Sequence, residues 1–205
     1  MAQGGEEQEA SRLRILRAAA EIAAEAGYEG ASISKITKRS GLPASSVYWF
    51  FKDKDQLMAE VIRHSLADWL AVQPRWERAE WDPRTLGEAL RGILSRSIKS
   101  LVDAPDFLRI GHMLLLQTRD VEPEARQYFV RVRADIEVEM GAWIASYFPP
   151  GLAQSCPHLA VDLGRVIVAA TDGAFLAGQA DVGYETDDFV DVIVSTLECA
   201  IAQYE

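Results

Sequence analysis

The stretch that decides the fold lies at residues 32–57 and reads SISKITKRSGLPASSVYWFFKDKDQL. Ser32 can accept a hydrogen bond from an amide of a first helical turn, so a short helix is predicted to begin after it. Gly41 ends that helix, because glycine readily adopts the positive φ of a helix C-terminus. Pro43 then precedes a second short helix, predicted over residues 44–50. Two short helices joined by a glycine-containing turn predict a helix-turn-helix unit.

Helical periodicity continues on both sides of this unit. An apolar stripe at positions 15, 19, 22 and 26 predicts a helix over residues 11–27, and Gly27 ends it. A long fourth helix follows a break at Lys52 and Asp53. Prolines and polar breaks then bound five further helical stretches, predicted over residues 84–102, 106–119, 123–147, 157–180 and 186–203. Since no segment shows strand alternation, the chain is predicted to be all-α with about nine helices.

The net charge of −10 is distributed unevenly along the chain. Residues 1–10 are polar and acidic and are expected to form a disordered tail. Residues 11–54 contain eight basic and four acidic side chains, a net charge of +4, whereas residues 55–205 carry −11. Phosphate binding needs a basic surface, so the total charge hides a candidate nucleic-acid face. Ordinary solvated helix faces would give the same count, and charge alone leaves both interpretations open.

The second short helix combines hydroxyl and aromatic side chains, and such a helix can lie in a DNA major groove. Side chains suited to phosphates and base edges are Ser45, Ser46, Tyr48 and Trp49, with Lys52 and Lys54 just beyond them. The aromatic residues can instead belong to the core of a helical bundle. Both interpretations hold together if Val47 and Phe51, at positions i and i+4, face inward while Tyr48 and Trp49 project outward.

Residues 15–57 resemble the DNA-binding domain of the TetR family of transcription regulators. The resemblance is carried by ILRAAAEIAAEAGY at 15–28, SISKI at 32–36, GL at 41–42 and VYWFFKDKDQL at 47–57. It implies that Tyr48 and Trp49 pack on the DNA backbone and that Lys54 contacts a phosphate at the start of the fourth helix. The predicted DNA-binding set is Ser32, Ser34, Lys35, Ala44, Ser45, Ser46, Tyr48, Trp49, Lys52 and Lys54.

Four positions depart from the family pattern. Pro43 stands where a serine commonly caps the recognition helix, Ser45 replaces a frequent glycine, Phe50 a frequent histidine, and Ala23 the usual phenylalanine. The phosphate-binding residues are kept. The few small side chains that face the bases discriminate weakly, so no operator sequence follows from them.

By the same resemblance, residues 11–56 form the DNA-binding domain and residues 57–205 form a larger helical domain for ligand binding and dimerisation. A two-fold homodimer sets two recognition helices one DNA turn apart and predicts a palindromic operator. Small and apolar residues of the last two helices predict a four-helix interface, although the same residues can pack within one chain. The predicted interface comprises Val166, Ala170, Gly173, Ala174, Ala177, Val190, Ile193, Val194, Leu197 and Ile201.

The expected ligand is a lipophilic small molecule, because aromatic and sulfur-containing side chains concentrate in the middle of the chain. The predicted ligand-binding residues are His64, Trp69, Trp81, Phe107, His112, Met113, Leu116, Gln117, Phe129, Met140, Trp143 and Phe175. The apolar members can equally be ordinary core residues. The expected mechanism is a repressor that leaves the operator when the ligand favours a state with a shifted fourth helix.

Other function classes stay open at this point. A helical ligand carrier or enzyme that lost operator binding is the alternative, favoured by the missing side-chain cap at Pro43 and the negative total charge. Activation is not distinguished from repression. No nucleophile triad, glycine-rich phosphate loop or metal-ligand spacing occurs, so no catalytic residue, metal or cofactor is predicted.

The predicted compartment is the cytoplasm. The N-terminus lacks the basic and apolar regions of a signal peptide, and no apolar run is long enough to span a membrane. Cys156 and Cys199 are too few for a disulfide framework and are expected to be core residues, with a redox pair as the alternative.

Overall fold

The structure is a computed structural model that describes residues 2–73, 76–77, 84–101, 105–117, 121–180 and 186–204. All regular structure in these ranges is helical, which confirms the all-α prediction. The described helices are α1 (Ala2–Gly30), α2 (Ile33–Ser40), α3 (Ala44–Phe50), α4 (Lys54–Val72), α5 (Leu86–Leu101), α6 (Asp106–Leu115), α7 (Glu124–Ala145), α8 (Leu152–Ser155), α9 (Leu159–Gln179) and α10 (Thr186–Ala202). The ten include one more than expected, the single-turn α8. None of these helices is long and apolar enough to cross a membrane.

The first helix begins earlier than the sequence pattern predicts. Residues 2–10, expected to be a disordered tail, are helical as the first part of α1, and Met1 lies outside the described residues. Glutamate, glutamine and alanine are frequent in this segment and favour helix. Glu9 also pairs with Arg12 one turn later, at 3.3 Å. Near the other end, Gly27 has a φ of 72° and kinks α1 where the prediction ended it.

The chain divides into two compact units, Met1–Ala71 with Pro105–Arg131 and Val72–Ala104 with Val132–Glu205. The first unit therefore adds most of α4, all of α6 and the beginning of α7 to the three N-terminal helices. The predicted boundary at residue 56 does not coincide with this division, because the apolar side of α4 is buried in the first unit. The buried residues of the first unit include Ile15, Ile36, Val47, Phe51, Leu57 and Ile62.

The second unit is built around α5 and α10. Their apolar faces meet in one buried cluster that also includes residues of α7, α8 and α9. Ion pairs border this contact, with Arg91 Nε 2.6 Å from Asp191 Oδ1 and Lys99 Nζ 3.1 Å from Asp187 Oδ1. Hydrogen bonds from Lys99 and Ser95 lower the pKa of Asp187.

Candidate nucleic-acid interface

Local capping sets the bounds of the helix-turn-helix. The Ser32 hydroxyl accepts a hydrogen bond from the Lys35 amide at 3.3 Å and begins α2. Gly41 ends α2 with a φ of 67°, and its amide donates to the Thr37 carbonyl. Pro43 precedes α3 without a side-chain hydrogen bond, so its own fixed φ of −67° holds the turn. The predicted caps and the bounds of α3 are confirmed.

The third helix has a buried and an exposed side. Val47 and Phe51 are 1% and 2% exposed, whereas Tyr48 and Trp49 are 56% and 65% exposed. The edge-to-face contact between Trp49 and Phe50, with ring centroids 4.5 Å apart, restrains the exposed indole. We call the exposed side of α3, with the residue shortly after it, the recognition face. It consists of Ala44, Ser45, Tyr48, Trp49 and Lys52.

Long-range contacts fix α2 against α1. The Arg14 guanidinium donates to the Ser40 carbonyl at 2.7 Å, and Arg39 pairs with Glu21 at 2.8 Å and with Glu25 at 3.0 Å. The hydrogen bonds that Arg39 donates to Glu25 lower the pKa of Glu25 and raise the pKa of Arg39. Two carboxylates therefore compensate the charge of Arg39. The net charge of +4 over residues 11–54 already includes both carboxylates, so the positive excess lies on the other basic side chains.

Two lysines predicted to meet DNA also contact their own chain. Lys35 Nζ donates to the Gly30 carbonyl at 2.9 Å. Lys54 Nζ donates to the Tyr28 carbonyl at 3.2 Å and lies 4.3 Å from the centre of the Tyr28 ring. Lys52, in contrast, is exposed and has no acidic side chain within ion-pair distance in the described part of the chain. Ser32 and Ser34 lie exposed at the start of α2, and Ser46 is half-buried in α3.

A capping arrangement that the sequence interpretation missed holds the backbone of Lys52. Asp53 accepts a hydrogen bond from the Gln56 amide at 2.8 Å, and the Gln56 side chain accepts one from the Lys52 amide at 2.7 Å. The acidic residue followed three positions later by glutamine is a recognisable signal for a helix start. It places Lys52 between the end of α3 and the start of α4.

The predicted ligand residues are divided between the two units, and Trp81 lies outside the described residues. The first unit holds His64, Trp69, Phe107, His112, Met113, Leu116, Gln117 and Phe129. Within it, Trp69 lies against Phe107 and His112 against Phe129, with ring centroids 5.4 and 5.9 Å apart. Leu116 is 83% exposed, and the neighbouring Gln117 is also exposed.

The remaining predicted ligand residues, Met140, Trp143 and Phe175, are buried in the second unit. Trp143 packs edge-on against Trp76 and against Tyr147. This unit also has a groove of about 310 Å³, which contains no predicted ligand residue. The groove is lined by Leu86, Tyr147, Phe148, Pro149, Glu198, Ile201 and Ala202.

The predicted dimer residues differ in their accessibility. Val166 and Gly173 are exposed on α9, Ala170 and Ala177 are half-buried, and Ala174 is buried. The α10 members are all buried in the core of their own chain, which is the alternative that the sequence left open. These are Val190, Ile193, Val194, Leu197 and Ile201.

The two thiols differ in burial, and Cys156 packs against the core cluster of the second unit. Cys156 is half-buried, and Cys199, expected in the core, is exposed on α10; both are free cysteines. Cys199 faces outward because the buried side of α10 carries the larger apolar residues. Within the described ranges, no cluster of three or more His, Cys, Asp or Glu side chains is placed to hold a metal ion.

Residues 15–61 match the family model described as bacterial regulatory proteins, tetR family. The fatty acid metabolism regulator protein of Bacillus subtilis (strain 168) is 27% identical over 110 residues, which are 54% of this chain and 55% of that protein. The chain thus matches about half the length of this relative.

Solved structures share the fold over nearly the whole chain. FadR from Bacillus subtilis in complex with stearoyl-CoA superimposes with a TM-score of 0.65 and 20% identity, covering 90% of this chain and 96% of that one. NalD, the secondary repressor of the MexAB-OprM multidrug efflux pump in Pseudomonas aeruginosa, gives a TM-score of 0.68 and 20% identity, with coverages of 96% and 98%. At these identities the similarity establishes the fold.

Proposed function

The chain belongs to the TetR family of transcription regulators, and on this premise we propose that it is a homodimeric repressor that binds a palindromic DNA operator. The recognition face is the observation that carries the proposal. Tyr48 and Trp49 are large aromatic side chains exposed on a helix whose other side is well packed, and such exposed apolar surface marks interaction sites. On the second helix of a helix-turn-helix, the partner is the DNA major groove.

The polar and aromatic side chains of the recognition face have roles that fit their chemistry. The hydroxyl groups of Ser45 and Tyr48 and the indole N–H of Trp49 can bond phosphates or base edges. Lys52 supplies phosphate charge next to the groove. Lys54 adds an ammonium at the start of α4, where backbone amides also favour an anion. Arg39 is left out of this set because two carboxylates, Glu21 and Glu25, hold its guanidinium, whereas Lys54 Nζ has one carboxylate partner in the described ranges, Glu29, at 3.5 Å.

The homodimer that we propose uses the exposed sides of α9 and α10. Exposed small and apolar residues recur on both helices at alternating spacings of three and four, the pattern of a helix-packing seam. On α9 they are Val166, Ala169, Gly173 and Leu176, and on α10 they are Val192, Ser195, Cys199 and Ala202. This proposal keeps Val166 and Gly173 from the sequence prediction. On α10, it uses these exposed residues in place of the predicted ones, because the side chains of the predicted residues are buried within their own chain.

We propose a lipophilic ligand that releases the protein from DNA. FadR, a structural relative, is described with stearoyl-CoA, and the aromatic residues of the first unit suit an apolar partner. Stearoyl-CoA is therefore the first compound to test, with coenzyme A alone as the control for the acyl chain. A rise in melting temperature with stearoyl-CoA and none with coenzyme A supports a lipophilic ligand. Equal shifts from both would contradict it.

Selection of bound duplexes from random DNA, with the full chain at moderate salt, tests the proposed regulator. Recovery of a palindrome supports operator binding by a dimer, whereas no enrichment from a folded protein contradicts it. Lys52→Ala should weaken binding to the recovered duplex and reduce the salt dependence by about one phosphate contact. Arg96→Ala is the matched control, because Arg96 is an exposed cation of the second unit. It should bind like the unchanged protein.

A further inference from the structure

Helix α6 obtains its N-terminal cap from α4. Pro105 occupies the position before α6 and makes no side-chain hydrogen bond to it. The Ser65 hydroxyl, on α4, accepts a hydrogen bond from the Phe107 amide at 3.1 Å instead. One of the amides that a helix start leaves unpaired is thus satisfied by a residue forty-two positions earlier in the chain.

Helix α7 obtains its cap from α4 as well. Pro123 precedes α7, and its carbonyl accepts the first helical hydrogen bond, from the Gln127 amide. A proline side chain has no acceptor, so it cannot cap the helix. The Asp55 carboxylate accepts from the Glu124 amide at 2.6 Å and from the Ala125 amide at 3.4 Å. Its negative charge also suits the positive end of the helix dipole.

The same carboxylate holds the end of α1. The buried Tyr28 hydroxyl donates to Asp55 Oδ1 at 3.1 Å. The adjacent Lys54 contacts the carbonyl and the ring of Tyr28. In the first turn of α4, Asp55 therefore contacts the start of α7, and both Lys54 and Asp55 contact Tyr28. All of these residues lie in the first unit.

We propose that Asp55 is a positioning residue for operator binding. Through its hydrogen bonds to the N-terminus of α7, Asp55 makes the location of Lys54 and of the first turn of α4 depend on the position of α7. This inference rests on the proposed function. Hydrogen bonds weaken steeply outside a narrow range of distance and angle, so a displacement of α7 by about an ångström releases the cap. The start of α4 then loses its attachment to α7 and keeps only its attachment to Tyr28 of α1. Ser65 gives α6 a comparable attachment further along α4.

Two variants separate positioning from simple stabilisation. Asp55→Ala should lower the melting temperature and weaken binding to the selected duplex about fivefold, the factor expected for one lost cap. Adding Pro123→Ser gives α7 a cap of its own, because serine is a favoured N-cap residue. The double variant should regain the melting temperature but not the affinity. If affinity returns together with stability, Asp55 has only a structural role and the proposal is overturned.

A matched control removes a cap elsewhere. Thr85 caps α5 in the second unit, where its hydroxyl accepts from the Glu88 amide at 3.3 Å. Thr85→Ala should lower the melting temperature and leave DNA affinity unchanged. An equal loss of affinity in Thr85→Ala would show that any lost cap has this effect and would refute the positioning role of Asp55.

Hydrogen exchange gives a readout that does not depend on DNA. In the double variant, amides of residues 124–127 should regain their protection, while those of residues 54–57 should continue to exchange faster than in the unchanged chain. Normal protection at both places would overturn the inference even if the chain binds an operator. If the selection recovers no duplex but exchange at residues 54–57 remains fast, the proposed function fails while the attachment through Asp55 stands.

Discussion

Gly111 in α6 lies directly beneath the ring of Phe129 in α7, and replacing it with alanine should destabilise the first unit. A Cβ atom at this position would lie 2.4 Å from Phe129 Cε2 and Cζ. Ordinary contacts between carbon atoms are about 3.5–4.0 Å, so the ring must move by about 1 Å or more. Phe129 is fully buried and also contacts His112, which leaves the ring little room to move.

The expected magnitude follows from two opposing effects. Overpacking a core costs up to about 3 kcal/mol, and this contact is close enough to lie at the upper end. Alanine is better than glycine in a helix by about 1 kcal/mol. The net loss in the free energy of unfolding is therefore about 2 kcal/mol. For a chain of this size, that corresponds to a fall in melting temperature of about 4–8 °C.

Thermal and urea unfolding, followed by circular dichroism, measure this effect. Gly92→Ala is the control, because its Cβ would meet no atom within 4 Å and should stabilise the exposed middle of α5. Phe129→Leu should destabilise the unchanged chain by leaving a cavity but stabilise Gly111→Ala by removing the clash. A Gly111→Ala protein as stable as the parent, or additive effects in the double variant, would refute the packing argument.

Three further predictions concern the recognition face, the dimer and acid stability. Trp49→Ala should weaken operator binding at least tenfold, about 1.4 kcal/mol, with an unchanged melting temperature, since the indole is exposed; a matching fall in stability would argue for a core role. Gly173→Trp should give a monomer in sedimentation velocity, and a persisting dimer would move the interface away from α9. Hydrogen bonds from Thr85 hold the pKa of Glu88 below its ordinary value of 4.5. The carboxylate therefore stabilises the chain above that value, and this stability is lost as the pH falls below it. Glu88→Gln should be less stable than the parent at pH 7, and the difference should vanish in acid; a constant difference would contradict the assigned cause.

The sequence predicts the helix-turn-helix closely because its determinants are local. Ser32, Gly41 and Pro43 act on helix ends only a few residues away, and each occupies its expected position. The alternation of inward and outward side chains on α3 follows from helical geometry alone. Val47 and Trp49 accordingly have the predicted burial and exposure.

Contacts between distant residues could not be predicted in this way. Arg39 is one of the eight basic residues counted in residues 11–54, but the sequence does not show that its guanidinium pairs with Glu21 and Glu25. Those carboxylates lie on another helix, and the pairing arises only when the two helices pack. The pattern on α10 shows which side is apolar and not what that side packs against. Val194 therefore suited both a dimer interface and the core of one chain.

The exposure of Trp49 also gives the protein a built-in optical reporter. Among the tryptophans that the structure describes, Trp143 is buried and Trp69 and Trp76 are half-buried. An indole in water emits at longer wavelength than one in a protein interior and is quenched readily by iodide. Among these described tryptophans, the long-wavelength, quenchable part of the fluorescence therefore comes chiefly from Trp49. Shielding of this indole from iodide should therefore report DNA binding at the recognition face of the unlabelled protein.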